Sequence, residues 1–223
     1  MNMKKIAVFD LDGTLAHTAP TLAAGMNIFL RESGREEIPY ELMKAFLGNG
    51  ARVLLNNVYE YLGLPREKKD IDEALEGFFV SYGQTFLDAE LYDGIEDTVR
   101  MLTDGGVSVG VLSNKPDRFV LPLVKKLFPD IPIAFAVGQT DRPRKPDPTV
   151  LLELIAEAGS DVEHCVYIGD SDVDIKTAKN ARVTSCAVSW GYRPRDLLTE
   201  LSPDFIADTP KELFDILKNF TQK

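Results

Sequence analysis

Two aspartates, Asp10 and Asp12, follow the first apolar run of the chain, which ends at Phe9, and they begin the segment DLDGTL. A strand that enters a protein core is normally apolar to its end, and carboxylates placed there carry a desolvation cost unless something pairs with them. A turn aspartate seldom needs a second carboxylate so close, whereas a bound cation would pair with both. The spacing therefore indicates a cation-binding site at the end of the first strand.

Polar residues also follow three later strands of the predicted sheet. They are Ser113 and Asn114 in LSNK, Lys145 in RPRKPDP, and Asp170, Asp172 and Asp174 in GDSDVD. Ligands of open α/β sheets bind outside the carboxyl ends of the strands. We therefore expect these polar groups to converge at one edge of the sheet.

Each of these segments also has an ordinary structural explanation. Ser113 and Asn114 could cap the helix that follows, with Pro116 in its first turn. The prolines of KPDP suit a turn, and Asp172 and Asp174 could interact with a helix macrodipole. A carboxylate, a hydroxyl, a lysine and another carboxylate at four strand ends of one sheet are improbable by coincidence, which favours the functional interpretation.

The elements that must position these residues alternate along most of the chain. Strands are predicted at 4–10, 107–112, 133–137, 165–168, 185–188 and 205–207, and helices at 95–104, 117–127, 148–158, 172–180 and 210–219. Strands alternating with helices over short connections are typical of βαβ units. The predicted fold class is α/β, with a doubly wound, mainly parallel sheet.

A helical block interrupts this pattern after the first strand. Apolar residues at helix spacing begin near residue 19, further helices are predicted at 40–47, 51–62 and 67–88, and no strand is predicted within 19–88. The sequence thus predicts a core domain of residues 1–15 and 89–223, and an inserted helical domain of residues 16–88.

The composition limits the partners. The chain has 223 residues, with 25 Lys and Arg against 35 Asp and Glu, and this net charge of −10 argues against nucleic acid or an anionic membrane as the main partner. Anionic small molecules stay possible, because a divalent ion can reverse the local field. Cys165 and Cys186 lie in apolar runs and are predicted to be buried thiols. No signal or membrane-spanning pattern is found, so a cytoplasmic location is expected.

The four segments together resemble the motifs of the haloacid dehalogenase superfamily. The matching residues are DLDGT at 10–14, LSNK at 112–115, Lys145 in RKPDP, and GDSDVD at 169–174. The helical block resembles the cap domain of that superfamily, and the whole chain is similar to phosphoglycolate phosphatases. The resemblance implies a Rossmann-like core with an inserted cap, and hydrolysis of a small phosphorylated metabolite, with phosphoglycolate as the favoured candidate.

The resemblance also implies the central chemistry. Asp10 would attack phosphorus and form an aspartyl-phosphate, and Asp12 would protonate the leaving oxygen and then activate water. A Mg²⁺ ion would be held by Asp10, Asp170 and the backbone carbonyl of Asp12.

The remaining motif residues receive supporting roles from the same resemblance. Ser113 and the amide of Asn114 would bind phosphoryl oxygens, while Lys145 neutralises charge. Asp174 would orient Lys145, and Asp172 is a helix-start residue or a minor contributor.

Other activities stay open at this point. A haloacid dehalogenase would need neither Mg²⁺ nor Asp12, so the second carboxylate argues against it. A phosphomutase of the β-phosphoglucomutase type keeps both carboxylates and differs in the lifetime of its phosphoenzyme. A catalytically silent Mg²⁺-binding regulatory domain is disfavoured by the presence of all four motifs.

The helical block offers fewer indications. By resemblance, Gly48-Asn49-Gly50 with Arg52 faces the leaving group, and Arg52 could hold a substrate carboxylate bidentately. The same segment could be a plain interhelical turn with a solvated arginine. His17 stands where relatives usually have aspartate, either as a hinge residue or as an exposed one.

Overall fold

The computed structural model describes residues 3–48 and 50–222. The chain forms two compact units, which we call the core unit, Met1–His17 with Leu91–Lys223, and the helical unit, Thr18–Glu90. None of the helices in the described ranges is long and apolar enough to cross a membrane.

The strands follow one another in the chain as β1 Ile6–Phe9, β2 Ala16–His17, β3 Glu90–Leu91, β4 Ser108–Pro116, β5 Phe135–Gln139, β6 Cys165–Gly169, β7 Thr184–Val188 and β8 Phe205–Ala207. Six of them form one sheet in the order β5-β4-β1-β6-β7-β8, and every pairing in it is parallel. β2 and β3 form a separate two-stranded pair. The mainly parallel α/β fold predicted from the sequence is therefore confirmed.

The helices of the core unit connect these strands. They are α5 Ile95–Asp104, α6 Asp117–Leu127, α7 Thr149–Glu157, α8 Asp172–Ala181, α9 Arg195–Glu200 and α10 Pro210–Gln222. The helical unit precedes them in the chain and contains α1 Ala19–Glu32, α2 Tyr40–Phe46, α3 Ala51–Tyr61 and α4 Lys68–Tyr82. Short 3₁₀ segments occur at Phe86–Asp88 and Val162–His164.

The centre of the sheet is the best-buried part of the core unit. All four residues of β1 are buried, and on one face Ile6 and Val8 pack with Leu151 of α7, Tyr167 of β6 and Ala178 of α8. Burying one aliphatic side chain of this size contributes roughly 1.5–3 kcal/mol. This packing fixes the central strands, whose carboxyl ends carry the polar motifs.

The helical unit has its own interior. Among its buried side chains are Met26 and Leu30 of α1 and Phe78 and Tyr82 of α4. A Cβ atom placed on Gly25 would lie 2.8 Å from the Cα of Tyr82, so only glycine allows α1 and α4 to approach this closely. None of the described residues between 19 and 88 forms a strand, in agreement with the sequence prediction.

Several boundaries differ from the prediction. The helix predicted over 67–88 ends at Tyr82, before Gly83, and only a 3₁₀ turn follows at Phe86–Asp88. The strand predicted at 107–112 continues to Pro116, with an irregular register after Leu112. The strand predicted at 133–137 lies at Phe135–Gln139, and α9 and the β2–β3 pair were not predicted.

Candidate active site

The parallel register brings the polar strand ends to one level. Phe9 pairs with Val111 of β4 and with Ile168 of β6, and the N–H of Asp10 donates to the carbonyl of Ile168 at 2.8 Å. The residues that follow these three neighbouring strands therefore leave the sheet side by side. This is the convergence that the sequence predicts for the ends of the first, second and later strands.

The loop after β1 approaches Asp170 very closely. Gly13 has a φ of 84°, and a Cβ atom there would lie 2.5 Å from Asp170 Oδ2. The left-handed backbone and the close approach both require glycine at this position. The next residue, Thr14, donates its hydroxyl to Asp170 Oδ1 at 3.0 Å.

Asp170 is held in place from two sides. Thr14 binds one oxygen, and the backbone N–H of Tyr192 donates to the other at 2.7 Å. Burial raises the pKa of Asp170 to about 8, and the nearby carboxylates of Asp174 and Asp10 add to the shift against the two hydrogen bonds. The site thus forces a buried carboxyl group into a fixed orientation although its charge is unfavourable there.

Asp10 lies beside Asp170 and forms an ion pair with Lys145 through one of its oxygens. Its Oδ1 lies 3.0 Å from Nζ of Lys145 as an ion pair, yet among the described residues it is a buried oxygen without a hydrogen bond of good geometry. Burial raises the pKa of Asp10 to about 6, opposed by Lys145 and reinforced by Asp174 and Asp12. A carboxylate oxygen that makes one ion pair still has lone pairs for a further positive ligand.

Lys145 contacts three other polar side chains of the site. Its ammonium contacts Asp174 Oδ1 at 2.8 Å, the hydroxyl of Tyr167 at 2.9 Å and Asp10 at 3.0 Å. Burial alone lowers the pKa of Lys145, but Asp10 and Asp174 outweigh it and raise this pKa well above its ordinary value. The lysine is therefore a permanent cation beside Asp10.

Asp174 connects this lysine to the start of α8. Its Oδ2 accepts from the hydroxyl and the backbone N–H of Ser171, while the Ser171 hydroxyl accepts from the N–H of Asp174 in a capping box. Both oxygens of Asp174 are therefore engaged, one by Lys145 and one by Ser171. Asp172, in contrast, lies apart from the cluster and pairs with Lys176 on α8 and with Arg193.

Ser113 and Asn114, expected to follow the strand, lie within the last four residues of β4, where its register with β5 is irregular. Ser113 is buried, and its oxygen accepts from the N–H of Lys115 at 3.3 Å. The side-chain amide of Asn114 exchanges two hydrogen bonds with the backbone of Lys145, at 2.9 and 3.0 Å. Asn114 thus fastens the loop that carries Lys145.

The sequence patterns did not predict a role for four residues that contact the site. Lys115 is buried and binds both carboxylate oxygens of Asp12. Thr14 contacts Asp170, Tyr167 contacts Lys145, and Ser171 contacts Asp174. Because side chains alternate between the two faces of a strand, the position of Lys115 could have indicated that it belongs to the site. It stands two residues after Ser113 and therefore shares its face.

The donor set fits a divalent cation. Carboxylate oxygens of Asp10, Asp170 and Asp174 lie within 4.8 Å of one another. Together with Asp12 they make four carboxylates against two ammonium groups, which leaves two negative charges when all are ionised. Hard oxygen ligands of this kind favour Mg²⁺ over softer metals.

Arg52 and its loop belong to the helical unit. Arg52 pairs with Asp72 at 2.5 Å, and both side chains are largely exposed. Gly50 precedes α3 with a φ of 83°, whereas Asn49 lies outside the described residues. In the core unit, the exposed His17 lies with its ring 5.4 Å from that of Tyr92.

The chain is similar in sequence to known proteins. Residues 7–188 match the family model described as haloacid dehalogenase-like hydrolase. Phosphoglycolate phosphatase 1 of Pseudomonas aeruginosa is 32% identical over 216 residues, which cover 95% of this chain and 79% of that protein. A phosphoglycolate phosphatase of Agrobacterium fabrum is 33% identical over 208 residues, which cover 92% and 89%.

A solved structure agrees with these sequence relatives. The crystal structure of a predicted phosphoglycolate phosphatase from Haemophilus somnus superposes with a TM-score of 0.86 at 26% identity. The match covers 97% of this chain and 99% of that one.

Proposed function

The chain belongs to the haloacid dehalogenase-like hydrolases and is a phosphoric monoester hydrolase of that family, and from this premise we propose that it is a Mg²⁺-dependent phosphatase acting through an aspartyl-phosphate on Asp10. The favoured substrate is phosphoglycolate, the substrate that the names of its relatives give. The observation that carries the proposal is the buried group of carboxylates of Asp10, Asp170 and Asp174, whose oxygens lie within 4.8 Å of one another in the arrangement that a divalent cation requires.

The size of the catalytic task requires several groups to act together. Enzymes accelerate phosphate monoester hydrolysis by up to ~10²¹, which corresponds to about 28 kcal/mol. Removing one preorganised donor typically costs only about 3–4 kcal/mol. A nucleophile, an acid–base group, charge clamps and a metal ion are therefore all needed.

Asp10 serves as the nucleophile in this proposal. One of its carboxylate oxygens forms a bond to phosphorus while the bond from phosphorus to the leaving oxygen breaks. Asp12, whose side chain is 20% exposed and so reaches solvent, gives a proton to that leaving oxygen. Asp12 then takes a proton from the water molecule that attacks the aspartyl-phosphate, which releases phosphate and regenerates Asp10.

The other groups bind and neutralise. Ser113 and the backbone N–H of Asn114 hold phosphoryl oxygens, and Lys145, oriented by Asp174, supplies a fixed positive charge beside Asp10. Asp10, Asp170 and the carbonyl of Asp12 would hold the Mg²⁺ ion. Its chemistry is to offset the charge of these carboxylates so that an anionic phosphate can approach them.

The helical unit supplies substrate specificity in the proposal. Arg52 exchanges its exposed pairing with Asp72 for the carboxylate of the substrate. A guanidinium can bind a carboxylate through two parallel hydrogen bonds, and this suits a small phosphorylated acid such as phosphoglycolate.

A panel of phosphorylated metabolites, assayed with Mg²⁺, tests the proposed function. Phosphoglycolate should give the highest kcat/KM, and an Asp10→Asn protein prepared in the same way should be inactive, which controls for contaminating phosphatases. Activity on other phosphate esters alone would contradict the substrate. A phosphoenzyme that survives for minutes and passes its phosphate to a sugar phosphate would instead identify a phosphomutase.

A further inference from the structure

A second buried lysine, Lys115 of the LSNK motif, has no role in the mechanism above and contacts the proposed acid–base group. Nζ of Lys115 lies 2.9 Å from Oδ1 and 3.3 Å from Oδ2 of Asp12, so the ammonium contacts both oxygens of the carboxylate. The side chain of Lys115 is 2% exposed, whereas that of Asp12 is 20% exposed. The buried ammonium of Lys115, near the end of β4, thus holds the partly exposed carboxylate of Asp12 in the loop after β1.

The two lysines of the site have separate tasks. Lys145 contacts Asp10, Asp174 and Tyr167, while Lys115 contacts Asp12. The two carboxylates of the DLDGT segment are therefore bound by different cations that come from different strand ends.

Stability alone is a poor explanation for this pair. Removing an ammonium group from water carries a large penalty, and a buried ion pair can often be replaced by apolar side chains without loss of stability. The contact of Lys115 with both oxygens of Asp12 points instead to the placement of that carboxylate. An aspartate in a loop would otherwise sample several rotamers, and a misplacement of 1 Å can lower a rate by ~10²-fold.

We infer that Lys115 is a positioning residue that holds the carboxylate of Asp12 in the place from which it exchanges protons with the leaving group and with water. This inference rests on the proposed function. It predicts that Lys115 affects the steps in which Asp12 moves a proton and has little effect on the attack of Asp10 itself.

Pre-steady-state hydrolysis of 4-nitrophenyl phosphate separates these steps. The nitrophenolate leaving group needs little protonation, so Lys115→Met, which removes the ammonium but keeps an unbranched side chain, should form the phosphoenzyme within about 5-fold of the wild-type rate. Breakdown of the phosphoenzyme uses Asp12 and should slow by ~10²-fold. A burst of nitrophenolate followed by slow turnover is therefore expected.

Two comparisons give the test its controls. Lys176→Met removes an exposed lysine that pairs with Asp172, and it should change neither phase by more than about 2-fold. In an Asp12→Ala background, Lys115→Met should have almost no further effect, because the group that it positions is already absent.

The outcomes distinguish this inference from the proposed function. If Lys115→Met lowers both phases by the same factor, or multiplies the defect of Asp12→Ala, then Lys115 does not act through Asp12. The proposed function would survive that result, since it requires only that Asp10 carry the phosphate. A wild-type protein that forms no phosphoenzyme would contradict the proposed function itself.

Discussion

The ion pair of Lys145 with Asp174 in the core unit and that of Arg52 with Asp72 in the helical unit differ in how much water reaches them. In the core unit, the side chains of Lys145 and Asp174 are 3% and 2% exposed, and each makes further contacts with buried groups. In the helical unit, Arg52 and Asp72 are 45% and 42% exposed. Exposed pairs contribute about 0–1 kcal/mol and exchange partners easily, whereas a desolvated network has one favoured arrangement. The buried network of Lys145 and Asp174 is therefore held in one arrangement, while Arg52 and Asp72 can exchange partners.

The largest effect is expected from a change of Asp10, the proposed nucleophile of the core unit. Asp10→Asn should lower turnover by about 10⁴-fold or more, because an amide cannot displace the leaving group, while substrate still binds. Steady-state rates with an aryl phosphate measure the loss. Asp172→Asn changes a neighbouring aspartate that pairs outside the cluster and should stay within about 3-fold of wild type. Equal effects of the two substitutions would mean that the buried cluster has no special role.

Removal of the metal is the second test of the core unit. A chelator should abolish phosphatase activity, because the carboxylates around Asp10 then repel the phosphate. Added Mg²⁺ should restore activity, because it offsets their negative charge. Ca²⁺ should restore it poorly, since its larger and looser coordination shell displaces the nucleophile. Full activity in excess chelator would rule out the proposed metal dependence.

The helical unit should respond differently to substitution. Arg52→Ala should raise KM for phosphoglycolate by about 10–100-fold, the loss of one charge-assisted contact, and leave the rate with an aryl phosphate nearly unchanged. Arg31→Ala removes another exposed arginine, which pairs with Glu37 in the same unit, and serves as the matched control. If Arg52→Ala has no larger effect on KM than Arg31→Ala, Arg52 does not select the substrate.

The smallest effect is expected at the two thiols, which both lie in the core unit. Cys165 and Cys186 are free and buried on β6 and β7. Burial raises the pKa of Cys186 to about 12, and burial also raises the pKa of Cys165. Because little thiolate forms at pH 8, a disulfide reagent should react with neither thiol before unfolding. Rapid reaction of either one in the folded protein would show that the core unit opens more readily than its packing suggests.

The parts of the site that the sequence predicted depend on repetitive local patterns. β1 is an uninterrupted apolar run that ends in two aspartates, and a parallel register then aligns its end with the ends of β4 and β6. The convergence of Asp10, Ser113 and Asp170 follows from that rule alone.

The rest depends on contacts between residues far apart in the chain. The pairing of Lys115 with Asp12 spans 103 positions, and the hydrogen bond from Thr14 to Asp170 spans 156. α9 was missed because it has six residues, of which only Leu198 is buried, so it shows almost no periodic pattern. The pairing of Arg52 with Asp72 joins two exposed residues on different helices and leaves no trace in either segment.

The most direct test of the account is to ask where the phosphate resides during the reaction. Asp12→Ala enzyme, incubated with a labelled aryl phosphate and Mg²⁺, should accumulate label on Asp10, because the first step needs little leaving-group protonation and the second lacks its base. Asp10→Asn enzyme should take up no label under the same conditions. Acid quenching followed by peptide mapping would locate the phosphoryl group. Label on Asp10 in the first variant and none in the second is the predicted result, and label on another residue, or equal label in both variants, would contradict the assignment of Asp10 as the nucleophile.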